Sequence, residues 1–488
     1  MSNRSARPNI LFAIADDASH FSAYGHRFVD TPHFDRVARD GILFANAFTS
    51  NPKCAPSRAS ILTGRHTWQN RESCLHWNYW PDDLPVYPDL LEEAGYHVGF
   101  TGKGWAPGDW QRCGRRRNPA GVHYNERTLT PPENSKISGN DYAGNFDDFL
   151  TARPEGRPFY FWYGGHEPHR HYVPGEGESH GKRREDVEEV PPYWPQEDVV
   201  RSDMLDYAFE IEWFDRQLGK MLDKLEAIGE LDNTLVVVTS DNGAPFPRVK
   251  GQMYDDDFRL PFAAMWGDRI RPGRRIDDLI SFTDLAPTFL EAAGASASDR
   301  AEFDAGPGKS LFDIFAAEGN GTVTSGRQRV YMGRERHDMG REGDLGYPVR
   351  CIRTPQHLYV RNFAPDRWPA GNPETHYTNC DSSPTKTRIL ELHEEGNEQF
   401  WRLAFGKRPA EELFDVRADP FCLDNLADRE EFASLKESLR LELEAELRRT
   451  GDPRLSGSGD IFEEYEYIVD APHSWAHYLK GDWEPQTS

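Results

Sequence analysis

The sequence has few cysteines and no long apolar run. Its six cysteines are scattered over 488 residues without a Cys-x-x-Cys pair, which excludes a disulfide framework and a cysteine-rich zinc site. No stretch approaches the roughly 18 consecutive apolar residues that a membrane helix needs, so we predict no membrane span. Hydrophobic residues make up 37% and aromatic residues 12% of the chain, which is enough for a buried core and argues against disorder.

Positive charge is also in deficit. The chain has 57 Lys and Arg residues against 81 Asp and Glu residues, a formal net charge of -24. Such a surface disfavours nucleic acid and long polyanions as partners. An anionic substrate would therefore have to be captured by a local basic pocket.

The N-terminal segment lacks the features of an export signal. Met1–Pro8 is short and polar, without the apolar region and the cleavage site of a signal peptide. This predicts a cytoplasmic protein, or a periplasmic or secreted one if a signal has been removed.

Residues 1–300 alternate between apolar strand-like runs and amphipathic helix-like stretches. The predicted strands are Asn9–Ala15, Tyr96–Thr101, Pro158–Tyr163, Leu235–Thr239 and Pro261–Trp266. The clearest predicted helix is Tyr207–Leu225. The alternation predicts an α/β fold in which helices cover both faces of a large mixed, mainly parallel sheet. Ligands gather at the carboxyl ends of the strands in such sheets, and polar clusters follow four of these runs.

A change of composition divides the chain. Residues 317–329 are rich in Gly, Ser and Thr, and we predict the domain junction there. The catalytic domain would span residues 1–325 and a smaller α+β subdomain residues 326–488, with an irregular tail after Gly451. In the subdomain we expect an antiparallel sheet packed by one helix. The predicted strands are Val330–Met332, Arg350–Arg353 and His357–Asn362, and the predicted helix is Phe432–Leu447.

Residues 54–65 carry the most specific pattern in the chain. They read Cys-Ala-Pro-Ser-Arg-Ala-Ser-Ile-Leu-Thr-Gly-Arg, which matches C-x-P-S-R-x-x-x-L-T-G-R at every fixed position. This pattern resembles the signature of the sulfatase family, and weaker similarity extends over nearly the whole chain. The resemblance implies a hydrolase of sulfate esters or sulfamates with an alkaline phosphatase-like fold.

The resemblance assigns the nucleophile to residue 54. In sulfatases a separate formylglycine-generating enzyme, which recognises Cys-x-Pro-x-Arg, converts this cysteine to formylglycine. One hydroxyl of the hydrated aldehyde attacks sulfur and displaces the leaving group. The other hydroxyl loses its proton, and sulfate is expelled. Arg58, together with the amides of a helix over residues 57–65, would face the anion.

Oxygen-donating side chains after two strands suggest a metal site. Asp16 and Asp17 follow the first strand, and Asp241 and Asn242 follow a later one. Such donors suit a hard divalent cation better than zinc. The resemblance implies Ca²⁺, which would absorb the negative charge that develops on the sulfate group. Taken alone, either pair could instead be a turn or a helix cap.

Three more positions match basic family residues, and one departs from the family. Lys103 matches a lysine that contacts a sulfate oxygen, and His166 matches the histidine that protonates the leaving group. Lys250 matches a residue that holds sulfate from the other side, with Arg248 as a competitor in the same loop. Trp105 stands where the family usually has histidine, and tryptophan cannot shuttle a proton.

Looser similarities point to the heparan N-sulfatase (sulfamidase) branch. They lie at Gln69-Asn70, Leu75-His76, His166–Arg170, Asp241–Pro247 and Tyr347–Arg350. They imply a sulfated sugar or glycan substrate, with N-sulfoglucosamine as one candidate. The residues predicted to bind the sugar are His76, His169, Arg170, Arg334, His337 and Arg350. The alternative for all six is a structural role, since fold-level similarity does not fix the pocket.

Two other functions stay open. A phosphonate or phosphate monoester hydrolase of the same superfamily would share the metal and the nucleophile. A catalytically inactive sulfated-glycan-binding protein would keep the fold, and Trp105 is its best support. The expected partners are the sugar substrate and the formylglycine-generating enzyme, and the chain could also form a homo-oligomer.

Overall fold

The computed structural model describes residues 7–485, so most of the N-terminal segment used for the export prediction lies outside the described residues. The strands are β1 (Asn9–Ala15), β2 (Ile42–Phe48), β3 (Asn78–Tyr79), β4 (His97–Gly102), β5 (Gly108–Asp109), β6 (Val122–His123), β7 (Phe159–Gly164), β8 (Thr234–Ser240), β9 (Arg259–Met265), β10 (Arg274–Ile276), β11 (Ile280–Ser281), β12 (Val330–Arg334), β13 (Val349–Arg353), β14 (His357–Asn362) and β15 (Glu411–Asp415). The α-helices are α1 (Pro32–Arg39), α2 (Cys54–Thr63), α3 (Tyr87–Glu93), α4 (Tyr142–Ala152), α5 (Glu176–Ser179), α6 (Asp198–Ala227), α7 (Asp255–Phe258), α8 (Leu285–Ala292), α9 (Ala297–Asp304), α10 (Phe312–Phe315), α11 (Pro384–Glu394), α12 (Glu398–Ala404), α13 (Ala433–Arg449), α14 (Ile461–Glu464) and α15 (Trp475–Lys480).

The main sheet has nine strands. They lie in the order β10-β2-β9-β8-β1-β7-β4-β6, and β11 pairs with β2 beside β10. The pairs are parallel apart from the two that β9 makes with β2 and β8, which are antiparallel. The prediction of a mixed, mainly parallel sheet is confirmed.

The central strand β1 shows why these segments read as continuous apolar runs. Every residue from Asn9 to Ala15 is buried. Leu11 and Ala13 pack into the core under α1, α4 and α6, whereas Phe12 and Ile14 pack into the core under α2, α3 and α8. A strand covered by helices on both faces needs apolar side chains on both, so the alternation typical of a half-exposed strand is lost.

A second sheet of four antiparallel strands follows in the order β12-β13-β14-β15. One face, with Met332 and Cys351, packs against Phe48 of the main sheet. The other face, with Ile352, lies under Leu443 of α13. The predicted antiparallel sheet with one packing helix is confirmed, and β15 is an additional strand. The predicted junction, residues 317–329, lies between α10 and β12.

The tail after Gly451 has more structure than the sequence predicts, since it contains α14 and α15. Its chain is fixed by backbone contacts with distant segments. The Ile468 N–H donates to the Trp77 carbonyl over 3.1 Å, and the Trp475 N–H donates to Asp344 Oδ1 over 2.7 Å. Residues 465–485, called the C-terminal strap below, therefore run over the body of the protein.

The long helix α6 begins nine residues before the predicted apolar pattern. Its first half buries the carboxylates Asp203, Asp206 and Glu210 beside its apolar residues, and these charges interrupt the helical periodicity that the prediction used. Within residues 7–485 no helix combines the length and the apolar character required to cross a membrane.

Candidate active site

Four adjacent parallel strands end in the predicted polar residues. The strands β8, β1, β7 and β4 lie side by side in that order. The residues that follow their carboxyl ends are Asp241 and Asn242 after β8, Asp16 and Asp17 after β1, His166 after β7, and Lys103 after β4. The order of strands in the sheet therefore gathers residues that are far apart in the chain, as expected for the ligand edge of an α/β sheet.

Helix α2 brings Cys54 to this edge. The helix begins at Cys54 itself, three residues earlier than predicted, and all its residues to Thr63 are buried. Pro56 is compatible with this start because a first-turn residue has no helical N–H bond to lose. The Cys54 Sγ lies 3.8 Å from Asp17 Oδ1, and Ser57 Oγ fixes the helix by donating to the Asp241 carbonyl over 2.6 Å. The helix N-terminus thus faces the carboxylate cluster and is suited to an anion.

Three carboxylates form a compact cluster that fits a hard cation. Oxygens of Asp16, Asp17 and Asp241 lie within 4.8 Å of one another. Asp16 Oδ1 and Asn242 Oδ1 are buried and accept no hydrogen bond from any residue between 7 and 485. Buried oxygen atoms without partners are costly, and a bound divalent ion would satisfy them. The donor set therefore fits the calcium ion that the sequence predicts.

Basic side chains surround the cluster. Arg58 Nε donates to Asp241 Oδ2 over 2.8 Å, and Lys103 Nζ lies 2.6 Å from Asp16 Oδ2. Lys250 Nζ lies 2.7 Å from Asp17 Oδ2. Burial by itself would raise the pKa of Asp16, but Lys103 and the other nearby cations outweigh it and hold that pKa well below its ordinary value. The three cations balance the three carboxylates, so a bound divalent cation would make the site locally positive in a strongly acidic protein.

The two basic residues that competed for one role occupy different environments. Lys250 lines the cavity described below and bridges Asp17 to Asp381, which is 2.9 Å away. The Arg248 guanidinium instead donates to the carbonyls of Leu403 and Cys422. This geometry favours Lys250 as the residue that faces an anion and gives Arg248 a structural role.

Trp105 does not enter the site. Its indole is fully buried, packs edge-on against Trp80 at 5.1 Å and donates to the Ala55 carbonyl over 3.1 Å. It therefore supports the first turn of α2 from behind. The departure from the family pattern removes a histidine from this position and replaces it with a packing residue.

A cavity of about 880 Å³ opens over the cluster, and three of the six predicted sugar-binding residues line it. His76 and His169 lie on its wall, and His169 also groups with Asp16 and Cys54 within 4.8 Å. Arg170 lines the wall as well, but its guanidinium is 2.8 Å from Asp203 and is largely committed to that ion pair. His166 lines the same cavity and is exposed to it.

The other three predicted sugar-binding residues do not face the cavity. Arg334, His337 and Arg350 are at most 1% exposed. Arg334 donates to the Pro369 carbonyl over 2.7 Å, and His337 Nε2 is 2.9 Å from Asn51 Oδ1. Arg350 is held between Asp452 and Glu335, each 2.7 Å away. Most of their polar groups have partners inside the protein, so this geometry favours the structural alternative for these three residues.

The cavity also has polar residues that the sequence reading missed. Lys53, the residue before Cys54, lines the cavity and lies 2.7 Å from Asp338. Asp381 lines it beside Lys250, and His473 enters it from the C-terminal strap. Lys53 could have been suspected from its place beside the cysteine motif. The other residues lie in segments without a motif, and only the fold brings them to the site.

The unmodified thiol of residue 54 is a poor nucleophile here. Burial, together with the negative charge of Asp16, raises the pKa of Cys54 well above its ordinary value. A thiolate is the reactive form of cysteine, so this environment keeps the thiol protonated.

Comparisons with known proteins agree with the geometry. The sulfatase family profile matches residues 8–295. An ulvan-active sulfatase of Formosa agariphila is 27% identical over 479 residues, covering 91% of this chain and 76% of that protein. Human N-sulphoglucosamine sulphohydrolase is 29% identical over 503 residues, covering 94% of each chain. A solved structure of a protein in complex with its substrate D-glucosamine-2-N,6-O-disulfate has a TM-score of 0.64 at 20% identity, covering 91% of this chain and 98% of that one.

The family profile covers more than half of the chain, and it includes the cysteine motif, the strand ends and the loop that carries Lys250. The chain therefore belongs to the sulfatase family and is a hydrolase of sulfate esters or sulfamates.

Proposed function

We propose that this sulfatase removes sulfate from a sulfated sugar, through a formylglycine made from Cys54 and with a bound calcium ion. The observation that carries the proposal is the position of Cys54. It begins a buried helix, lies 3.8 Å from a carboxylate of the oxygen cluster and stands at the cavity edge of the sheet.

The calcium ion would be held by Asp16, Asp17, Asp241 and Asn242 and would supply a fixed positive charge against the sulfate oxygens. Formylglycine at position 54 would supply a hydrated aldehyde as the acceptor of the sulfuryl group. The protonated thiol of the unconverted chain could not take this role.

The remaining residues of the site bind and orient the anion. Lys103 and Lys250 stand on either side of the cluster, paired with Asp16 and Asp17 respectively, so a sulfate above Cys54 would lie between two cations. Arg58 holds Asp241 in place and donates to the Lys103 carbonyl over 2.6 Å. His166, which is exposed to the cavity, would give a proton to the leaving group.

A sugar substrate is supported by the cavity itself. Its volume of about 880 Å³ falls in the range of small-molecule sites, roughly 300–1,000 Å³. Its wall carries several histidines, lysines and carboxylates, which suit a ligand with many hydroxyl groups. Because the human sulphohydrolase aligns over 94% of both chains, N-sulfoglucosamine is the first substrate to test.

The first experiment measures conversion and activity together. The protein is produced with and without a formylglycine-generating enzyme, and the mass of the tryptic peptide Cys54–Arg58 is determined. Sulfate release is then assayed with N-sulfoglucosamine, an aryl sulfate and the matching aryl phosphate. We expect the mass loss of a thiol-to-aldehyde change, release of sulfate only from converted protein, and no release from Cys54→Ala.

Each alternative has its own outcome. Converted protein that cleaves the aryl phosphate faster than the aryl sulfate would favour the phosphonate or phosphate monoester hydrolase. Converted protein that binds sulfated sugars without releasing sulfate would favour a binding protein. An intact Cys54 thiol after coexpression would contradict the formylglycine proposal.

A further inference from the structure

The C-terminal strap, residues 465–485, forms one side of the substrate cavity. Residues 469–473 with Glu484 and Pro485 lie on the cavity wall. The strap is fixed at several points. The Tyr465 carbonyl accepts from Arg336 over 2.6 Å, and the Ile468 N–H donates to the Trp77 carbonyl over 3.1 Å. The C-terminal strap is therefore a fixed part of the cavity wall.

His473 is the strap residue best placed to contact a ligand. Its backbone carbonyl accepts from the Trp483 indole N–H over 3.1 Å, which closes the strap on itself and fixes the position of residue 473. Its ring lines the cavity. The ring Nε2 is buried and has no hydrogen-bond partner within residues 7–485, so a rotation of the ring toward the cavity would let a ligand hydroxyl satisfy it.

His76 also lines the cavity and has a similar unpaired nitrogen. It is 6% exposed, its Nδ1 is 2.9 Å from Asp338 Oδ1, and its Nε2 has no partner in the described part of the chain. Burial lowers the pKa of His76 to about 4, so its ring is neutral at neutral pH. With the carboxylate accepting from Nδ1–H, Nε2 is left as an acceptor.

Lys53 and Asp338 connect His76 to the reaction centre. Lys53 precedes Cys54 in the chain and pairs with Asp338 at 2.7 Å, and Asp338 also pairs with His76. Lys53 and His473 both line the cavity. None of these groups contacts the carboxylates of the proposed metal site through a described hydrogen bond.

We propose that His473 and His76 form a subsite for the part of the sugar that does not carry the reacting sulfate. In this arrangement the strap limits the substrate to a free monosaccharide or the terminal residue of a chain. The inference rests on the proposed function, because it assumes that a sulfated sugar occupies the cavity. A polymer bound through its interior would need a groove open at both ends, and in this proposal the strap, which forms one wall of the cavity, blocks one of them.

The test measures binding separately from catalysis. The dissociation constant of N-sulfoglucosamine is determined by calorimetry in the calcium-loaded Cys54→Ala protein and in the same protein with His473→Ala or His473→Asn. We expect His473→Ala to weaken binding at least about tenfold, as for a lost buried hydrogen bond. His473→Asn should recover part of that loss.

Leu479→Ala is the control on the same strap. Leu479 is 70% exposed and does not line the cavity, so we expect an unchanged dissociation constant. Equal affinities of the parent and His473→Ala would overturn the subsite. A parent that binds no sulfated sugar would overturn it as well.

Activity then tests the chain-end restriction in converted protein. We expect KM for the monosaccharide to rise in His473→Ala far more than kcat falls, and sulfate release from a long polymer to be confined to its ends. Equal release from interior residues would overturn the restriction. Sugar binding that depends on His473 without any sulfate release would instead contradict the proposed reaction and leave the subsite in place.

Discussion

At the scale of single residues, the site opposes carboxylates and cations in a fixed arrangement. Asp16 pairs with Lys103, Asp17 with Lys250, and Asp241 with Arg58. The Lys103 side chain is 10% exposed and the other five residues are at most 4% exposed, so their interactions are little screened by solvent. Substituting any one of them leaves its oppositely charged partner unpaired in a low-dielectric environment.

Lys250 and Arg248 can be separated by mutation. We expect Lys250→Ala in converted protein to lower kcat by about 10²–10³-fold, the usual effect of removing a donor that stabilises developing charge. Lys250→Arg should retain part of the activity. Activity is measured at saturating substrate, with circular dichroism to check folding.

Arg248 and Lys220 supply the controls for that experiment. Arg248→Met should lower the free energy of unfolding, since the guanidinium holds the Leu403 and Cys422 carbonyls, without a comparable loss of kcat. Lys220→Ala, at an exposed position of α6, should change neither quantity. A normal kcat for Lys250→Ala with a large loss for Arg248→Met would reverse our assignment.

The catalytic residues were predictable from sequence to the extent that a motif or a strand end marked them. Cys54 and Arg58 carry their own spacing, and Asp16 and Asp241 follow apolar runs that the sheet buries. Asp381 carries no such mark, because its place in the site depends on contacts between distant segments. The position of Trp105 behind α2 could not be predicted from the sequence, since the burial of its indole depends on packing between distant segments.

At the scale of the elements, the second sheet supports the site from behind. Arg350 of β13 is enclosed by Glu335, after β12, and by Asp452, after α13. Its guanidinium also lies over the Trp68 ring at 5.2 Å. This buried network joins the sheet, the helix and the segment that leads to the strap.

The network predicts that Arg350 contributes to stability. We expect Arg350→Ala to lower the free energy of unfolding by about 3–5 kcal/mol, because two buried carboxylates lose their partner. Urea unfolding measures the change. Arg329→Ala is the control, since Arg329 forms a half-exposed pair with Glu442 and should cost at most about 1 kcal/mol.

Arg350 was predicted from sequence to bind the sugar, so the same variant also tests that prediction. The structure implies that KM for the sugar in the folded Arg350→Ala protein is unchanged. A large rise in KM with normal stability would restore the original prediction. Sequence similarity could mark Arg350, but it could not distinguish a ligand contact from an internal ion pair, which requires Asp452 to be located in space.

At the scale of the whole molecule, the main sheet and the hydrophobic cores on its two faces bring the carboxylates of the oxygen cluster together at one buried site. An ion that binds this cluster binds the folded chain only, since its ligands are separated by more than 200 residues in sequence. Binding of this kind stabilises the folded state in proportion to the logarithm of ligand concentration.

Calcium should therefore raise the stability of the entire protein. At a free Ca²⁺ concentration about 100 times its dissociation constant, the gain is expected to be about 2.7 kcal/mol. Thermal melts with a chelator and with increasing Ca²⁺ measure it. Mg²⁺ should give a smaller shift because it demands shorter, octahedral coordination.

A ligand variant distinguishes this effect from a general salt effect. Asp241→Asn should melt at the same temperature with and without Ca²⁺. An equal calcium-induced shift in Asp241→Asn and the parent protein would contradict the proposed ligand set.

The burial of α2 sets an order of events in the life of the protein. Cys54 and Arg58 are at most 1% exposed and Pro56 is buried, so an enzyme that reads these side chains cannot reach them once the sheet has closed around the helix. The modification proposed for Cys54 therefore has to happen before folding is complete. A chain that folds first keeps an inert thiol. The fraction of active molecules therefore depends on the rate of Cys54 modification relative to the rate of folding around α2.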